Sequence, residues 1–389
     1  MYLHDLYLVN AGEGPETIRV VRDKIEAAGA ERSFPSYERN EPSLSFDRAI
    51  AFPGLINSHD HLDFNSFPPL RNGIYQHYTA WGRDIHRKNK TIISQVLNIP
   101  QPLRTQWGIY KNLLNGVTTV VNHGKQLAVQ DNLITVFQQC QNLHSVRFEK
   151  AWRYQLNRWS KRRFPLVIHI GEGTDDDAQR EIDELIRWNL LKRPVIGVHN
   201  VAMNERQAAA FKALVWCPAS NYFLLDCTAR IDLLKRRAPV VFGTDSTLTG
   251  TWNLWEQLRA ARQENMASDE ELFDMLTRTP ARIWGLPGCG EIKAGHYADL
   301  VVARMKETTA LGSFFALNPG DILLVLKRGS IQLFDEELHD RLMASGLDSA
   351  CFSAMQIGGR RKYVRGDLPA LAKEICSHYA EAGFPFSIF

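Results

Sequence analysis

Residues 52–61 read FPGLINSHDH, a short apolar run that ends in two histidines, His59 and His61. A run of this length bounded by Pro and Gly is typical of a buried strand. Residues two apart in a strand point to the same face, so we expect both imidazoles to lie on one side of the sheet. Such a pair is a candidate metal site, although a single histidine at a strand end is more often structural.

Five similar runs follow along the chain, and each ends in polar or glycine-rich residues. They are NGVTTVVNHG (115–124), FPLVIHIGEG (164–173), RPVIGVHN (193–200), ALVWCPASN (213–221) and APVVFGTDS (238–246). Segments between them, such as 175–191 and 204–214, space their apolar residues as a helix does. Strands that alternate with helices predict an α/β fold with a parallel sheet. The interval 51–287 has the length of an eight-fold (β/α)8 TIM barrel, about 250 residues.

The predicted barrel is irregular at its third and fourth strands. The stretch HSVRFEKAW (144–152) is our candidate for strand three, and no run before residue 164 offers a clear strand four. We therefore expect the barrel to be distorted in this region.

Strand-like segments also flank the predicted barrel. Residues 1–50 and 288–335 contain short apolar runs with glycine turns, among them EIKAGHYADLVVARM (291–305) and GDILLVLKRGSIQLFD (320–335). We predict that these two segments form one small β-domain from both ends of the chain, beside a barrel domain of residues 51–287. Residues 336–389 are predicted to be a C-terminal helical extension, to which the sequence assigns no role.

The composition excludes several classes of protein. The 389 residues include 46 basic and 43 acidic side chains, a net charge of +3 that argues against a nucleic-acid-binding role. We expect no membrane association, because there is no apolar run of about 18 residues. No signal-peptide pattern is seen, and the six cysteines are scattered without a CxxC pair. These features predict a cytoplasmic protein.

Polar residues that end four of the predicted strands form the candidate site. They are His59, His61, His169, His199 and Asp245, and Glu172 follows His169 by three residues. The carboxyl ends of barrel strands meet at one face, where the active sites of this architecture lie. Each residue alone is a weak signal, because a strand-end His or Asp also suits a turn or helix cap. Together they predict a polar centre at one end of the barrel.

The order of the motifs resembles that of a known family. FPGLINSHDH, HIGEG, VHN, CPASN, GTDS and EIKAGHYADLVV are similar to successive motifs of the amidohydrolase superfamily, most of all to its mononuclear-metal branch of triazine hydrolases and guanine and adenosine-type deaminases. The resemblance runs from about residue 1 to residue 335. It implies a distorted (β/α)8 barrel with a small β-sandwich domain formed from both chain ends.

The resemblance also implies roles for the strand-end residues. It assigns the metal ligands to His59, His61, His169 and Asp245, the proton shuttle to Glu172, and the orientation of water or substrate to His199. Three imidazoles and one carboxylate suit one Zn²⁺ per chain with a position left for water, and Fe²⁺ or Mn²⁺ remain alternatives. The expected nucleophile is metal-bound hydroxide, with Asp245 and Glu172 transferring protons.

Three further residues bear on the number of metals and on the ligand set. A second metal would need a bridging residue such as a carboxylated lysine, for which Lys125 and Lys150 are candidates by position. Neither ends a clear strand, so we favour one metal. His123 in VVNHG could approach the centre from the second strand or be an ordinary hydrogen-bonded histidine.

The loop after the first strand, residues 63–87, is expected to cover the substrate. It is rich in aromatic residues, which indicates a lid over an apolar or planar small molecule, although the same residues would suit a loop that packs on itself. We predict substrate contacts from Trp81, Arg71, Asn221 and His199. The acidic residue that precedes the tryptophan in related purine deaminases is absent here, which argues against purine deamination.

The predicted function is metal-dependent hydrolysis of a C–N bond, other than a peptide bond, in a small planar or cyclic molecule. Amide hydrolysis and hydrolytic deamination of an amino-heterocycle use the same residues, so the motifs do not choose between them. An inactive metal-binding scaffold is the alternative of another class. The sequence leaves the oligomeric state open, including a homo-oligomer.

Overall fold

We describe the fold from a computed structural model that defines residues 1–12, 14–30, 42–129 and 133–388. Within these ranges the strands are, in chain order, β1 (Tyr2–Leu8), β2 (Pro15–Val21), β3 (Lys24–Gly29), β4 (Ser43–Pro53), β5 (Leu55–Asp60), β6 (Val117–Asn122), β7 (Thr135–Phe137), β8 (Gln141–Ser145), β9 (Leu166–Ile170), β10 (Val195–His199), β11 (Ala213–Trp216), β12 (Val240–Phe242), β13 (Leu300–Arg304), β14 (Ile322–Lys327), β15 (Ser330–Asp335), β16 (Phe352–Ile357) and β17 (Arg360–Arg365).

The α-helices in the same ranges are α1 (Tyr78–Lys88), α2 (Lys90–Asn98), α3 (Gln101–Leu114), α4 (Trp152–Leu156), α5 (Asp176–Trp188), α6 (Glu205–Ala208), α7 (Pro218–Leu225), α8 (Ile231–Leu234), α9 (Leu254–Gln263), α10 (Asp269–Asp274), α11 (Arg278–Trp284), α12 (Ala310–Phe315), α13 (His339–Ala344) and α14 (Leu368–His378). No helix of these described residues is both long and apolar enough to cross a bilayer.

Eight parallel strands, β5 to β12, form the centre of the α/β unit. Strands β5, β6 and β7 make one sheet, and β8 to β12 make a second sheet of five strands. The two sheets approach each other where the backbone N–H groups of Thr244 and Asp245 both donate to the carbonyl of His59 at 3.1 Å. Six of these strands, β5, β6 and β9 to β12, are buried at every position, as expected for parallel strands covered on both faces, whereas β7 and β8 are partly exposed. The predicted α/β class is confirmed.

The prediction for the third strand was wrong. The third and fourth parallel strands are β7 and β8, and only His144 and Ser145 of the stretch 144–152 lie in a strand. Ser145 ends that strand because its hydroxyl accepts the N–H of Phe148 and its carbonyl accepts the N–H of Glu149, which turns the chain towards α4. Strand β7 has three residues, too few for a periodic signal in the sequence.

A third sheet, of nine strands, gathers both ends of the chain in the order β16-β17-β15-β14-β13-β4-β1-β2-β3. Seven of its strands, β1 to β4 and β13 to β15, begin in the two segments predicted to share a β-domain. Residues 31–41, within the first of these segments, lie outside the described residues. The hydrogen bonds unite the nine strands in one sheet.

The C-terminal segment 336–389 differs from the helical extension that we predicted. It contains α13 and α14 but also the hairpin of β16 and β17, which adds to the nine-stranded sheet through β15. The hairpin turns at Gly358 and Gly359, whose φ angles are +57° and +76°. Two consecutive positive φ angles are what a two-residue hairpin turn requires, and the GG pair was the signal in the sequence.

Helix α3 packs directly against residues 59–61, which we call the HDH segment, and is buried over most of its length. A Cβ built on Gly108 would come 2.2 Å from the carbonyl oxygen of Leu62, so only glycine permits this approach. The close contact brings Lys111 and Asn112, both buried in α3, towards Asp60 between the two histidines.

Candidate metal centre and active site

Four side-chain atoms converge at the carboxyl ends of β5, β9 and β12. Nε2 of His169 lies 3.2 Å from Nε2 of His59 and 3.3 Å from Nε2 of His61. Oδ1 of Asp245 lies 3.6 Å from each of the same two nitrogens on His59 and His61. The structure therefore brings together all four residues that the sequence predicts as ligands.

These distances fit a metal ion in the centre of the group. Ligand bonds of about 2.0–2.1 Å separate neighbouring ligand atoms by about 2.9–3.6 Å in four- and five-coordinate sites. Burial lowers the pKa of His169 and lowers that of His61 to about 3, which favours the neutral rings whose nitrogens carry lone pairs. Lone pairs that face one another repel unless a cation lies between them. The donor set therefore fits a divalent metal.

The carboxylate of Asp245 is held in one orientation. Its Oδ2 accepts hydrogen bonds from the hydroxyls of Ser220, at 2.8 Å, and Thr249, at 2.7 Å, which leaves Oδ1 towards the histidines. Burial acts to raise its pKa, but contacts with His59 and His61 outweigh burial and keep the pKa well below the ordinary value. The backbone φ of +53° is rare for a residue other than glycine, a kind of strain often found at functional sites.

A buried ion pair supports the HDH segment from below. Nζ of Lys111 lies 3.0 Å from Oδ2 of Asp60, and both side chains are at most 2% exposed. The amides of Asn112 and Asn65 donate to the two oxygens of Asp60 at 2.7 and 2.8 Å. A buried charge pair with its remaining donors and acceptors satisfied adopts a fixed geometry, and removing one partner costs about 3–5 kcal/mol. This network fixes the backbone that carries His59 and His61.

Glycine at position 243 allows β12 to approach β5. A Cβ at this position would lie 2.7 Å from Cβ of His59 and 2.8 Å from Cγ1 of Val215. No real Cβ tolerates such contacts, so one of the neighbours would have to move. The absence of a side chain at Gly243 thus brings His59 and Asp245 to a common centre.

Gly243→Ala is expected to weaken metal binding at least tenfold, because the new methyl group displaces His59. Overpacking of this kind also costs about 1–3 kcal/mol of unfolding free energy. Competition with a chelator measures the Kd for Zn²⁺, and thermal unfolding measures the stability. Gly250→Ala is the matched control, since its Cβ would meet no atom closer than 3.5 Å. A Gly243→Ala protein that binds Zn²⁺ as tightly as the wild type would contradict this prediction.

Glu172 and His199 lie beside the four ligand atoms. Oε1 of Glu172 is 3.6 Å from Nε2 of His199, and both residues are buried. The Nδ1–H of His199 donates to Oδ1 of Asn221 at 2.9 Å, so Nε2 is the nitrogen with the lone pair. Burial lowers the pKa of His199 to about 4, and burial together with the charge of Asp245 raises the pKa of Glu172 well above its ordinary value. The raised pKa favours the protonated form of the Glu172 carboxyl group.

A second buried carboxyl group, Glu181 of α5, anchors the loop that follows β9. Its Oε1 accepts the N–H of Gly171 at 2.8 Å, and its Oε2 accepts the hydroxyl of Tyr78 at 3.1 Å. Burial raises the pKa of Glu181 to about 7, although both hydrogen bonds and the charge of Arg147 act to lower it. The backbone between His169 and Glu172 thus depends on a group that titrates near neutral pH.

This pKa predicts a pH-dependent stability. The folded state holds the Glu181 proton up to about pH 7, whereas an unfolded chain releases it near its ordinary pKa of 4.5. The free energy of unfolding therefore falls by about 2–3 kcal/mol between pH 5 and pH 8 because of this group. Glu181→Gln removes the titration, so its stability relative to the wild type should rise with pH over that window. Denaturant unfolding at pH 5 and pH 8 measures this change in stability, and Asp183→Asn, an exposed position on the same helix, is the control. If the stabilities of the wild type and Glu181→Gln changed in parallel with pH, the prediction would be refuted.

A cavity of about 780 Å³ opens over the four residues predicted as metal ligands. Its floor is polar and its walls are mostly aromatic and aliphatic side chains from residues 64–97 and from Phe148 and Leu248. Basic residues of α1 and the start of α2, Arg83, His86, Arg87 and Lys90, line it as well. Among the described residues that line the cavity, the acidic ones are Glu172 and Asp245.

The structure distributes the predicted substrate residues unevenly. Trp81 lines the cavity with His199, and its indole N–H donates to the carbonyl of Leu70 at 2.8 Å. Asn221 is fully buried against His199 and is not among the cavity residues, so it positions that histidine. Arg71 lies in a neighbouring cavity, where its guanidinium donates to the carbonyl of Phe223 at 2.7 Å. The structure therefore places neither Arg71 nor Asn221 in the wall of the cavity where we expect substrate to bind.

The segment predicted as a lid, residues 63–87, ends in a helix. Helix α1 covers its last part and begins after His77, whose side chain accepts the N–H of Thr79. Phe64, Phe67 and Tyr78 of this segment line the cavity, as the aromatic composition predicts.

Sequence reasoning missed several residues of the site. Lys111 lies in the last turn of α3, where lysine is ordinarily a surface residue, and His144 lines the cavity from the end of strand β8. His123 is buried among the ligand histidines. Both lysines considered as bridging ligands, Lys125 and Lys150, have exposed side chains.

Comparison with known proteins supports the predicted family resemblance. A model of the amidohydrolase family matches residues 155–331. The 5-methylthioadenosine/S-adenosylhomocysteine deaminase of Halothermothrix orenii is 25% identical over 199 residues, which are 44% of this chain. The match spans 46% of that relative, or about half of its length. The resemblance to the amidohydrolase superfamily is confirmed.

Solved structures of the same fold cover most of the chain. An adenosine deaminase from Xanthomonas campestris with bound zinc is 18% identical, with a TM-score of 0.66 over 88% of this chain and 96% of that one. An atrazine chlorohydrolase from Arthrobacter aurescens, complexed with zinc, is also 18% identical, with a TM-score of 0.65 over 88% of this chain and 98% of that one. A guanine deaminase from C. acetobutylicum with bound guanine is 15% identical, with a TM-score of 0.64 over 85% of this chain and 99% of that one. At these identities the similarity concerns the fold.

Proposed function

We propose that the protein is a metal-dependent hydrolase that cleaves a carbon–nitrogen bond, other than a peptide bond, in a small planar or cyclic molecule. The observation that carries this proposal is the convergence of three imidazole nitrogens and one carboxylate oxygen at 3.2–3.6 Å beneath a cavity that also contains Glu172. A structural metal site is normally closed by its protein ligands, whereas this one faces a cavity of substrate size.

The metal would be held by Nε2 of His59, His61 and His169 and by Oδ1 of Asp245. Zn²⁺ suits this donor set, and Fe²⁺ and Mn²⁺ are the alternatives. When bound, the metal supplies a Lewis acid that makes water acidic at neutral pH and polarises the substrate.

Protons move through the side chains around this centre. We assign the donor role to Glu172, because burial keeps its carboxyl group protonated and it lines the cavity. Asp245, ionised and fixed by Ser220 and Thr249, accepts a proton from the attacking water. His199 presents its Nε2 lone pair to the water or to a polar group of the substrate, held in place by Asn221.

The overall reaction adds water across the bond that breaks. The water oxygen forms a bond to carbon, the carbon–nitrogen bond breaks, and the nitrogen leaves as ammonia or an amine after receiving a proton from Glu172. Asp245 then gives up the proton that it took from water, and Glu172 regains a proton in exchange with the solvent of the cavity, so both residues return to their starting states.

Aromatic walls and a basic rim indicate the kind of substrate. Phe64, Phe67, Trp81 and Phe148 provide flat apolar surfaces that a planar ring can contact. Arg83 and Lys90 at the wall favour a neutral or anionic molecule over a cation. Amide, imide and lactam rings meet these conditions, and so do amino-heterocycles.

Hydrolytic deamination of an amino-heterocycle is the second candidate. The observation in its favour is that the curated relative and two of the three structures described above are deaminases. The missing acidic residue before Trp81 weighs against purines, so pyrimidine, pteridine or triazine-like rings are the substrates that we would test first.

We also propose that the eight parallel strands and their helices form the predicted distorted (β/α)8 barrel of residues 51–287. The approach of β12 to β5 through His59 supports closure of the barrel. The nine-stranded sheet would then correspond to the β-sandwich domain of the family.

The function is tested by incubating the zinc-loaded protein with a panel of amino-heterocycles, amides, imides and lactams, and measuring ammonia and ring opening. Ammonia released from an aminated ring would identify a deaminase. Amide cleavage or ring opening without that release would identify an amidase-type hydrolase. An absence of turnover with every class, in a protein that binds its metal, would overturn the proposal in favour of an inactive scaffold.

A further inference from the structure

His123, the residue directly after β6, is buried among the proposed metal ligands. Its ring centroid lies 5.0 Å from that of His59, 5.1 Å from that of His61 and 4.4 Å from that of His169. Its backbone N–H donates to the carbonyl of Asp60 at 2.9 Å, which ties the end of β6 to the HDH segment. Only 3% of the residue is exposed.

Neither ring nitrogen of His123 has a hydrogen-bond partner among the described residues. A buried polar atom left without a partner costs about 1–3 kcal/mol, and native proteins rarely leave one without an ion or a water nearby. An ordinary structural histidine would donate to a carbonyl or carboxylate, as His199 does to Asn221. His123 therefore needs a partner other than the surrounding protein.

The position of His123 restricts what that partner is. Substrate is unsuitable, because His123 is not among the residues that line the cavity over the metal site. By contrast, one ring nitrogen from each of His59, His123 and His169 can be chosen so that the three atoms lie within 4.8 Å of one another. Converging nitrogens on buried imidazoles are donors that a transition metal binds.

We propose that His123 is an additional ligand of the metal, contributed by the second strand. This inference rests on the metal site of the proposed function and extends its donor set to four imidazoles and one carboxylate. Five protein donors favour a metal that accepts five or six ligands. In a six-coordinate site, one position remains for water. The ligand set would thus differ from the four residues that the sequence motifs predict.

Cobalt is a suitable probe, because the visible absorption of Co²⁺ weakens as its coordination number rises. We would load metal-free wild type, His123→Phe and His123→Asn with Co²⁺ alone, record the spectra and measure Kd by chelator competition. Phe keeps the volume of the ring without its nitrogens. The matched control is His144→Phe, whose ring lies 5.2 Å from that of His169 but which belongs to neither group of converging ligand atoms.

We expect a weak spectrum of high coordination number in the wild type and the control. Both His123 variants should absorb more strongly and bind Co²⁺ at least tenfold more weakly, since even partners outside the ligand set contribute about 10–100-fold. Unchanged spectra and Kd in these variants would overturn the inference while leaving the metal site intact. A wild type that binds no stoichiometric Co²⁺ would instead contradict the proposed function.

X-ray absorption on the wild type tests the same point without a substitution, in case the variants fold poorly. Multiple scattering from the zinc-loaded protein should require four imidazoles around the metal. A best fit with three would refute the ligand role of His123, and a buried water bound to its ring would then be the remaining partner.

Discussion

Glu172→Gln is expected to lower kcat by about 10²–10⁴-fold, the range in which a positioned proton donor contributes. The amide has nearly the shape of the carboxyl group but no acidic proton to give to the leaving nitrogen. Metal content should stay at the wild-type level, because Glu172 is not among the converging ligand atoms. The measurements are turnover on the substrate found in the panel and metal analysis of the same sample.

Glu205→Gln is the matched control for this experiment. Glu205 lies at the start of α6, near Arg237 and outside the cavity, so its variant should turn over at the wild-type rate. An unchanged kcat in Glu172→Gln would contradict the assignment of Glu172 as the proton donor. A variant that also loses its metal would show instead that Glu172 supports the ligand set.

His61→Ala is expected to weaken zinc binding by more than about 100-fold, beyond what residues outside the ligand set contribute. Loss of this imidazole removes one of four donors and leaves Oδ1 of Asp245 with a single histidine neighbour at 3.6 Å, His59. His61 is also the most exposed of the three histidines, so its truncation leaves the smallest cavity in the core. Metal analysis after dialysis, together with chelator competition, measures the effect.

His86→Ala serves as the control for His61→Ala. His86 lines the same cavity but is not among the converging ligand atoms, so it should keep the wild-type Kd for Zn²⁺. Full zinc occupancy in His61→Ala would contradict the ligand set. Activity is not needed for either measurement, so the result is independent of the substrate.

The sequence alone was sufficient to predict that the four proposed ligands lie close together. His59, His61, His169 and Asp245 all follow apolar runs, and the carboxyl ends of parallel strands meet at one edge whatever the loops do. Their convergence follows from this local pattern, and the order of motifs added the family resemblance. The α/β class and the sharing of one sheet by both chain ends depend on the same periodic signals.

Other features were decided by contacts between residues far apart in the sequence. Lys111 on a helix reads as a surface residue, and only the approach of α3 at Gly108 buries it against Asp60. Asn221 was expected to contact substrate, but the distance of 2.9 Å to Nδ1 of His199 gives it a positioning role. Such partnerships depend on tertiary packing, which no local spacing encodes.

Short elements and the directions of individual side chains could not be predicted from the sequence either. Strand β7 has too few residues for a pattern, and the hairpin of β16 and β17 is recognisable only from its GG turn. The direction of the Arg71 guanidinium depends on a carbonyl 152 residues away along the chain. Periodicity determines which residues end the strands, because it is a property of consecutive residues. The partners of those residues are determined by how the strands and helices pack, because a buried polar group must pair with whatever that packing places beside it.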